Sequence, residues 1–125
     1  MPPVRIVLVE DNEVFRDALE LLLGMRDDVE IVASVGDGAA AVSAAKEYRP
    51  DVVLMDYRLP ELDGIQATAQ VVEQVPGVAV VALTASADAA EREALVEAGA
   101  VACLTKDQEL EEIVAAILRA AAVAG

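Results

Sequence analysis

"VVLMDYRLPELDG", residues 52–64, sets four apolar residues against an acid. Val52, Val53, Leu54 and Met55 run on without polar alternation, the pattern of a strand buried on both faces. Asp56 follows at once, and Pro60 and Gly64 then punctuate a turn. A carboxylate at the end of a buried strand needs a role or a partner, because an isolated buried charge is costly.

Outward from this stretch, five short apolar runs alternate with five helical patterns. Strands are expected at 4–9, 29–35, 51–55, 78–83 and 101–104, and helices at 12–25, 37–48, 64–75, 88–99 and 108–121. In the first helix Phe15, Ala18, Leu19, Leu22 and Leu23 recur at helical spacing, with Asn12 as its cap. Asp37, Asp63 and Asp88 start later helices, Asp88 with Glu91 as a capping box. Pro50, Pro76-Gly77 and Gly99 stop helices. The second strand alternates weakly, which suits an edge. This order predicts an α/β, flavodoxin-like (βα)5 doubly wound parallel sheet with strand order 2-1-3-4-5 and helices on both faces. Residues 1–125 read as a single domain. The alanine-rich end from about residue 121 reads as a frayed helix end or the start of a linker.

Composition narrows the chemistry. The 125 residues are 56% hydrophobic, which excludes a disordered chain. Alanine and valine dominate, with one Phe, two Tyr and no Trp, so the core packs small residues between close layers. A net charge of −14 argues against gripping a phosphate backbone, and no direct nucleic-acid binding is expected. The single cysteine, Cys103, forms no internal disulfide and fits a reducing compartment. The absence of histidine removes a Ser-His-Asp triad and a His-rich zinc site. No apolar run approaches the ~20 residues of a membrane span, and "MPPVR" is no signal peptide. A cytoplasmic protein is expected, with no membrane contact.

The polar residues then fall in register. Glu10-Asp11 follow strand one, Asp56 follows strand three, Thr84 follows strand four, and Lys106 comes just after strand five. All lie at carboxyl ends of strands, where open parallel sheets bind ligands at the switch point. In the order 2-1-3-4-5 that point lies between strands one and three, so Asp11 and Asp56 flank one crevice. Three carboxylates close together repel, which favours raised pKa values or a hard cation. Oxygen-only ligands suit Mg²⁺. An aspartate nucleophile can then accept a phosphoryl group. Lys106 would offset oxygen charge and Thr84 would donate a hydrogen bond to a phosphoryl oxygen.

Each residue also has a plainer reading. Glu10 and Asp11 suit a helix N-terminus. Thr84 suits a strand-end hydroxyl, and Lys106 a solvated loop lysine. Cys103 suits a small buried strand residue. Arg58 is expected exposed beside the site, with a modulating role.

The pieces "LVEDN" (8–12), "DVVLMDYRLPELDG" (51–64), "ALTAS" (82–86) and "GAVACLTKD" (99–107), each at its strand end, resemble the response regulator receiver domain of two-component signalling. The wording also resembles receivers that carry a LuxR-type helix-turn-helix output domain. The resemblance implies Asp56 as phosphoacceptor, Thr84 as switch hydroxyl and Lys106 as the site lysine. It implies Mg²⁺ held by Asp11, Asp56, the backbone carbonyl of Arg58, and Glu10 through water. It implies a histidine kinase as phosphodonor, with no turnover of an external substrate. An output domain or partner protein would be reached through the face of helix four, strand five and helix five. In that family an aromatic residue commonly sits three residues before the lysine, where this chain has Cys103. A thiol is far smaller than a phenol ring, so a weaker surface change on activation is expected, and a monomer.

Three other classes compete. A phosphohydrolase of the haloacid dehalogenase type needs an acid two residues after the nucleophile, where Arg58 stands. A flavin carrier of the same fold needs a glycine- and hydroxyl-rich phosphate loop after strand one, where Glu10-Asp11-Asn12 stands. A degenerate receiver used only for protein binding would not need all five key positions filled with competent residues.

Overall fold

The computed structural model describes residues 2–59, 62–85 and 88–124. Its elements are β1 (Val4–Val9), α1 (Glu13–Gly24), β2 (Val29–Val35), α2 (Gly38–Tyr48), β3 (Val52–Asp56), α3 (Gly64–Gln74), β4 (Ala79–Thr84), α4 (Ala89–Ala98), β5 (Ala102–Thr105) and α5 (Leu110–Ala124). The five strands form one sheet in the order β2-β1-β3-β4-β5, every pair parallel, as the alternation predicts. β2 lies at an edge.

The side-chain period of two sorts the sheet into two cores. Val7, Val9, Val53, Met55, Val80 and Ala82 face α2 and α3, whose Ala41, Ala44, Ala45 and Ala67 allow close approach. Ile6, Leu8, Val52, Leu54, Val81 and Leu83 face Leu19 and Leu23 of α1 and Ile113, Val114 and Ile117 of α5. Helices therefore cover both faces, and central strands β3 and β4 are buried along their whole length.

Three strands end one residue later than the apolar runs suggest. Main-chain pairing outlasts the apolar side chains: Asp56 pairs with Leu83, Thr84 with Thr105, and the Tyr57 N–H donates to the Leu83 carbonyl at 3.1 Å. Asp56 and Thr84 thus belong to the strands, which hold them more rigidly than a loop would. Asn12, Asp37, Asp63 and Asp88 each cap a helix through a side-chain oxygen, as expected.

Two expectations need correction at α5. The helix starts at Leu110, not at 108, because the Gln108 amide oxygen accepts the Thr105 N–H at 2.9 Å and serves the turn instead. It continues to Ala124, where the sequence reading stops it at 121. Pro60, expected to punctuate the turn after β3, lies outside the described residues, as do Ser86 and Ala87.

Glycine fixes the turn after β3 in a way the sequence hides. A Cβ on Gly64 would overlap the Asp56 carbonyl oxygen and lie 2.7 Å from the Tyr57 Cα. Its N–H donates to the Tyr57 carbonyl at 2.9 Å. Gly38 is packed as closely: its Cβ would overlap the Leu62 carbonyl oxygen. Tyr57 and Leu62 are therefore packed against the starts of α3 and α2.

Candidate functional site

Glu10, directly after β1, is 1% exposed. Its N–H donates to the Val35 carbonyl at 3.0 Å, and its carbonyl accepts from Arg16 Nη1 at 2.9 Å. Its Oε2 accepts the Asn12 N–H at 3.1 Å. Its Oε1 lies 2.7 Å from the Lys106 ammonium. Asp11, the next residue, is exposed.

Asp56 ends β3 and is 4% exposed. Oδ2 lies 3.4 Å from Lys106 Nζ, and Oδ1 accepts a long hydrogen bond of 3.4 Å from the Arg58 N–H. Burial pushes the Asp56 carboxyl up to about 7, helped by a hydrogen bond with Glu10 and by its charge; Lys106 and the Arg58 N–H pull the other way. Glu10, Asp11 and Asp56 each offer a carboxylate oxygen within 4.8 Å of the others. One ammonium does not balance three such groups. Crowded oxygens with surplus negative charge and one exposed member suit a hard divalent cation, so the residues fit Mg²⁺.

Lys106 reaches this cluster from the loop after β5. Its N–H donates to the Thr84 carbonyl at 2.7 Å, which ties that loop to the end of β4. Burial alone would lower the ammonium pKa, but Glu10 and Asp56 carry it above the ordinary lysine value. Thr84 is buried at the end of β4. Lys106 is therefore not a solvated loop lysine, and Glu10 is more than a helix-start acid.

The remaining candidates sit at the rim. Arg58 is exposed and joins Asp11, Tyr57, Leu59 and Asp63 around a groove of about 570 Å³. Asp63 both lines this groove and caps α3. Cys103 is not brought to the cluster. It is half-buried on β5, not fully buried, and its Sγ lies 4.0 Å from the Arg92 carbonyl of α4. β5 is the outer strand at its end of the sheet and all four of its residues keep some exposure, which is why the fully buried reading fails.

Two neighbours escaped the sequence reading. The Phe15 ring lies 4.9 Å from Lys106 Nζ, and Arg16 holds the Glu10 carbonyl. Both follow the acidic pair by four to six residues. That nearness is the available signal, but Phe15 also fits the apolar face of the helix and reads as core.

The chain matches the response regulator receiver domain family over residues 6–118. It is 37% identical over 111 residues to the transcriptional regulatory protein YhcZ of Bacillus subtilis, covering 89% of this chain and 52% of that protein. The signal receiver domain of the response regulator NarL from Mycobacterium tuberculosis superposes with a TM-score of 0.92 at 35% identity, covering 98% of each chain. A LuxR-family two-component response regulator from Aurantimonas sp. SI85-9A1 superposes at 0.91 and 30% identity, over 97% of this chain and 86% of that one. The Mn²⁺-bound form of response regulator Rcp1 superposes at 0.74 and 27% identity, over 92% and 89%. The chain spans about half the length of the curated relatives it matches. Fold, acidic crevice and family agree, and the chain belongs to the response regulator receiver domains.

Proposed function

We propose that this domain accepts a phosphoryl group on Asp56 from a histidine kinase and changes conformation to control an output. The observation that carries the reading is the buried Asp56 carboxylate, set against Glu10 and Asp11 with Lys106 at 3.4 Å. Asp11, Asp56, the Arg58 carbonyl and, through water, Glu10 would hold Mg²⁺, and the Mn²⁺-bound state of Rcp1 supports a divalent ion. The ion supplies positive charge that offsets the phosphoryl oxygens.

The chain's own residues do the rest. The Asp56 carboxylate forms a bond to phosphorus as the donor's phosphorus–nitrogen bond breaks, and the leaving imidazole nitrogen takes a proton from solvent. Lys106 offsets charge on a phosphoryl oxygen and Thr84 donates to another. Water later cleaves the acyl phosphate, so the domain turns over no external substrate. The length of the relatives supports an output domain beyond this one, of the helix-turn-helix type found in LuxR-family regulators and reached through α4, β5 and α5, with the end of α5 leading into the linker. Among the described residues no helix is long and apolar enough to cross a membrane; membership of the receiver family supports a cytoplasmic place of action.

Incubation with acetyl phosphate and Mg²⁺ tests the reading. Intact-mass measurement should show one labile phosphoryl adduct on the parent and none on Asp56→Asn with its fold retained. Full labelling of the variant would assign the acceptor elsewhere. An unlabelled parent would favour a domain used only for protein binding.

A further inference from the structure

We infer that Phe15 is a positioning residue for Lys106: its ring holds the ammonium over the acidic crevice. The inference rests on the phosphoacceptor reading for its purpose, but its geometry stands apart from it. Lys106 starts from the loop after β5, and two strands, β4 and β3, separate β5 from β1. Its side chain must cross that edge to bring Nζ to 2.7 Å from Glu10 and 3.4 Å from Asp56. A lysine stem has several rotatable bonds and a strongly hydrated head, so it tends to turn outward to water. The Phe15 ring, 4.9 Å from Nζ, closes that route with a face that attracts cations.

The ring is well placed to act as a fixed wall. Its residue sits in the first turn of α1, where its N–H is tied to the Asn12 cap at 3.0 Å. Its side chain packs against the core formed by Leu8, Leu19, Leu54 and Leu83. It is the chain's one phenylalanine. The two carboxylates also hold the ammonium, but their grip weakens once their charge is taken up by a cation or by phosphoryl transfer. The attraction of the ring face does not depend on the charge state of either acid. Phe15 would thus keep Lys106 over the crevice at the stage when Glu10 and Asp56 hold it least.

The chain has two lysines, Lys46 and Lys106, so the ε-methylene NMR signals of the parent are readily assigned. In Mg²⁺-loaded protein, where the cation takes up the carboxylate charge, ¹³C relaxation should show Lys106 ordered and exposed Lys46 mobile. Phe15→Leu, which keeps apolar volume, should make Lys106 mobile, and Phe15→Tyr should restore its order. Unchanged order in Phe15→Leu overturns the inference, whether or not the domain is phosphorylated. With acetyl phosphate and Mg²⁺, Phe15→Leu should slow labelling at saturating donor by roughly 3- to 30-fold, with little change in half-saturation. The same change in a Lys106→Met background should have no further effect. An equal loss in both backgrounds would mean that Phe15 acts as core alone. If the parent takes no label, the function fails while the relaxation result still decides the role of Phe15.

Discussion

The Lys106 ammonium lies closer to Glu10 than to Asp56, at 2.7 Å against 3.4 Å. Glu10 is therefore engaged on both oxygens, by Lys106 and by the Asn12 N–H. Asp11 is exposed and Asp56 borders both. The cluster is graded, from an acid held by the protein to one open to ligands.

This gradation sets the expected order of metal effects. Asp11→Asn should weaken Mg²⁺ binding more than Glu10→Gln, by about 10-fold or more, because Glu10 is already committed within the protein. Calorimetric titration checks this. Replacing both should remove metal-dependent phosphorylation. The metal role fails if a chelator leaves phosphorylation of the parent unchanged.

Stability in the absence of metal should fall as pH rises. The folded Asp56 carboxyl titrates near 7, against about 3.9 in an unfolded chain. Between these values the folded state binds the extra proton, so the slope of stability with pH is negative there and flattens above 7. Asp56→Asn removes that contribution. Urea unfolding in chelator should show the parent losing roughly 1–3 kcal/mol more than the variant between pH 4 and pH 8. Parallel pH profiles would show that burial and Glu10 do not act on Asp56 as described.

How much of this was legible depends on what each contact rests on. Asp56 and Thr84 could be read because each ends an apolar run, and parallel strands bring such ends to one edge. The Lys106–Glu10 pairing could not, because it depends on the rotamers of two long side chains from opposite parts of the sheet. Gly64 reads from sequence as a turn residue. Its contact with the Asp56 carbonyl appears only when β3 and α3 are placed. Cys103 reads as buried because strand residues usually are, whereas β5 lies at the margin of the sheet.

Gly64→Ala should therefore damage the site and not merely its loop. An added Cβ meets backbone atoms of Asp56 and Tyr57, which cannot swing aside as a side chain would. A loss of more than about 1 kcal/mol is expected, with slower phosphorylation. Gly77→Ala is the contrast: it strains a positive φ of 92° but meets nothing within 4 Å. It should cost stability without touching the labelling rate. Equal labelling rates in the two variants would detach Gly64 from Asp56.

Cys103 tests how activation leaves the site. Burial pushes its thiol pKa up, and its Sγ lies beside the Arg92 carbonyl of α4. It is half-buried, so alkylation at mildly alkaline pH should proceed, slowly. The receiver resemblance implies an aromatic residue at this position, and a thiol fills far less space than such a ring. Under the proposed function the coupling would rest on Thr84 and on any movement of α4 past β5, because a ligand shifts an equilibrium only through differential contacts. With Mg²⁺ and beryllofluoride the alkylation rate should change if α4 moves, and Thr84→Ala should abolish the change while still accepting phosphate. An identical response in Thr84→Ala would remove Thr84 from the coupling. By light scattering the activated parent should stay monomeric or dimerise less than Cys103→Tyr. Equal dimerisation would show that this domain needs no aromatic switch.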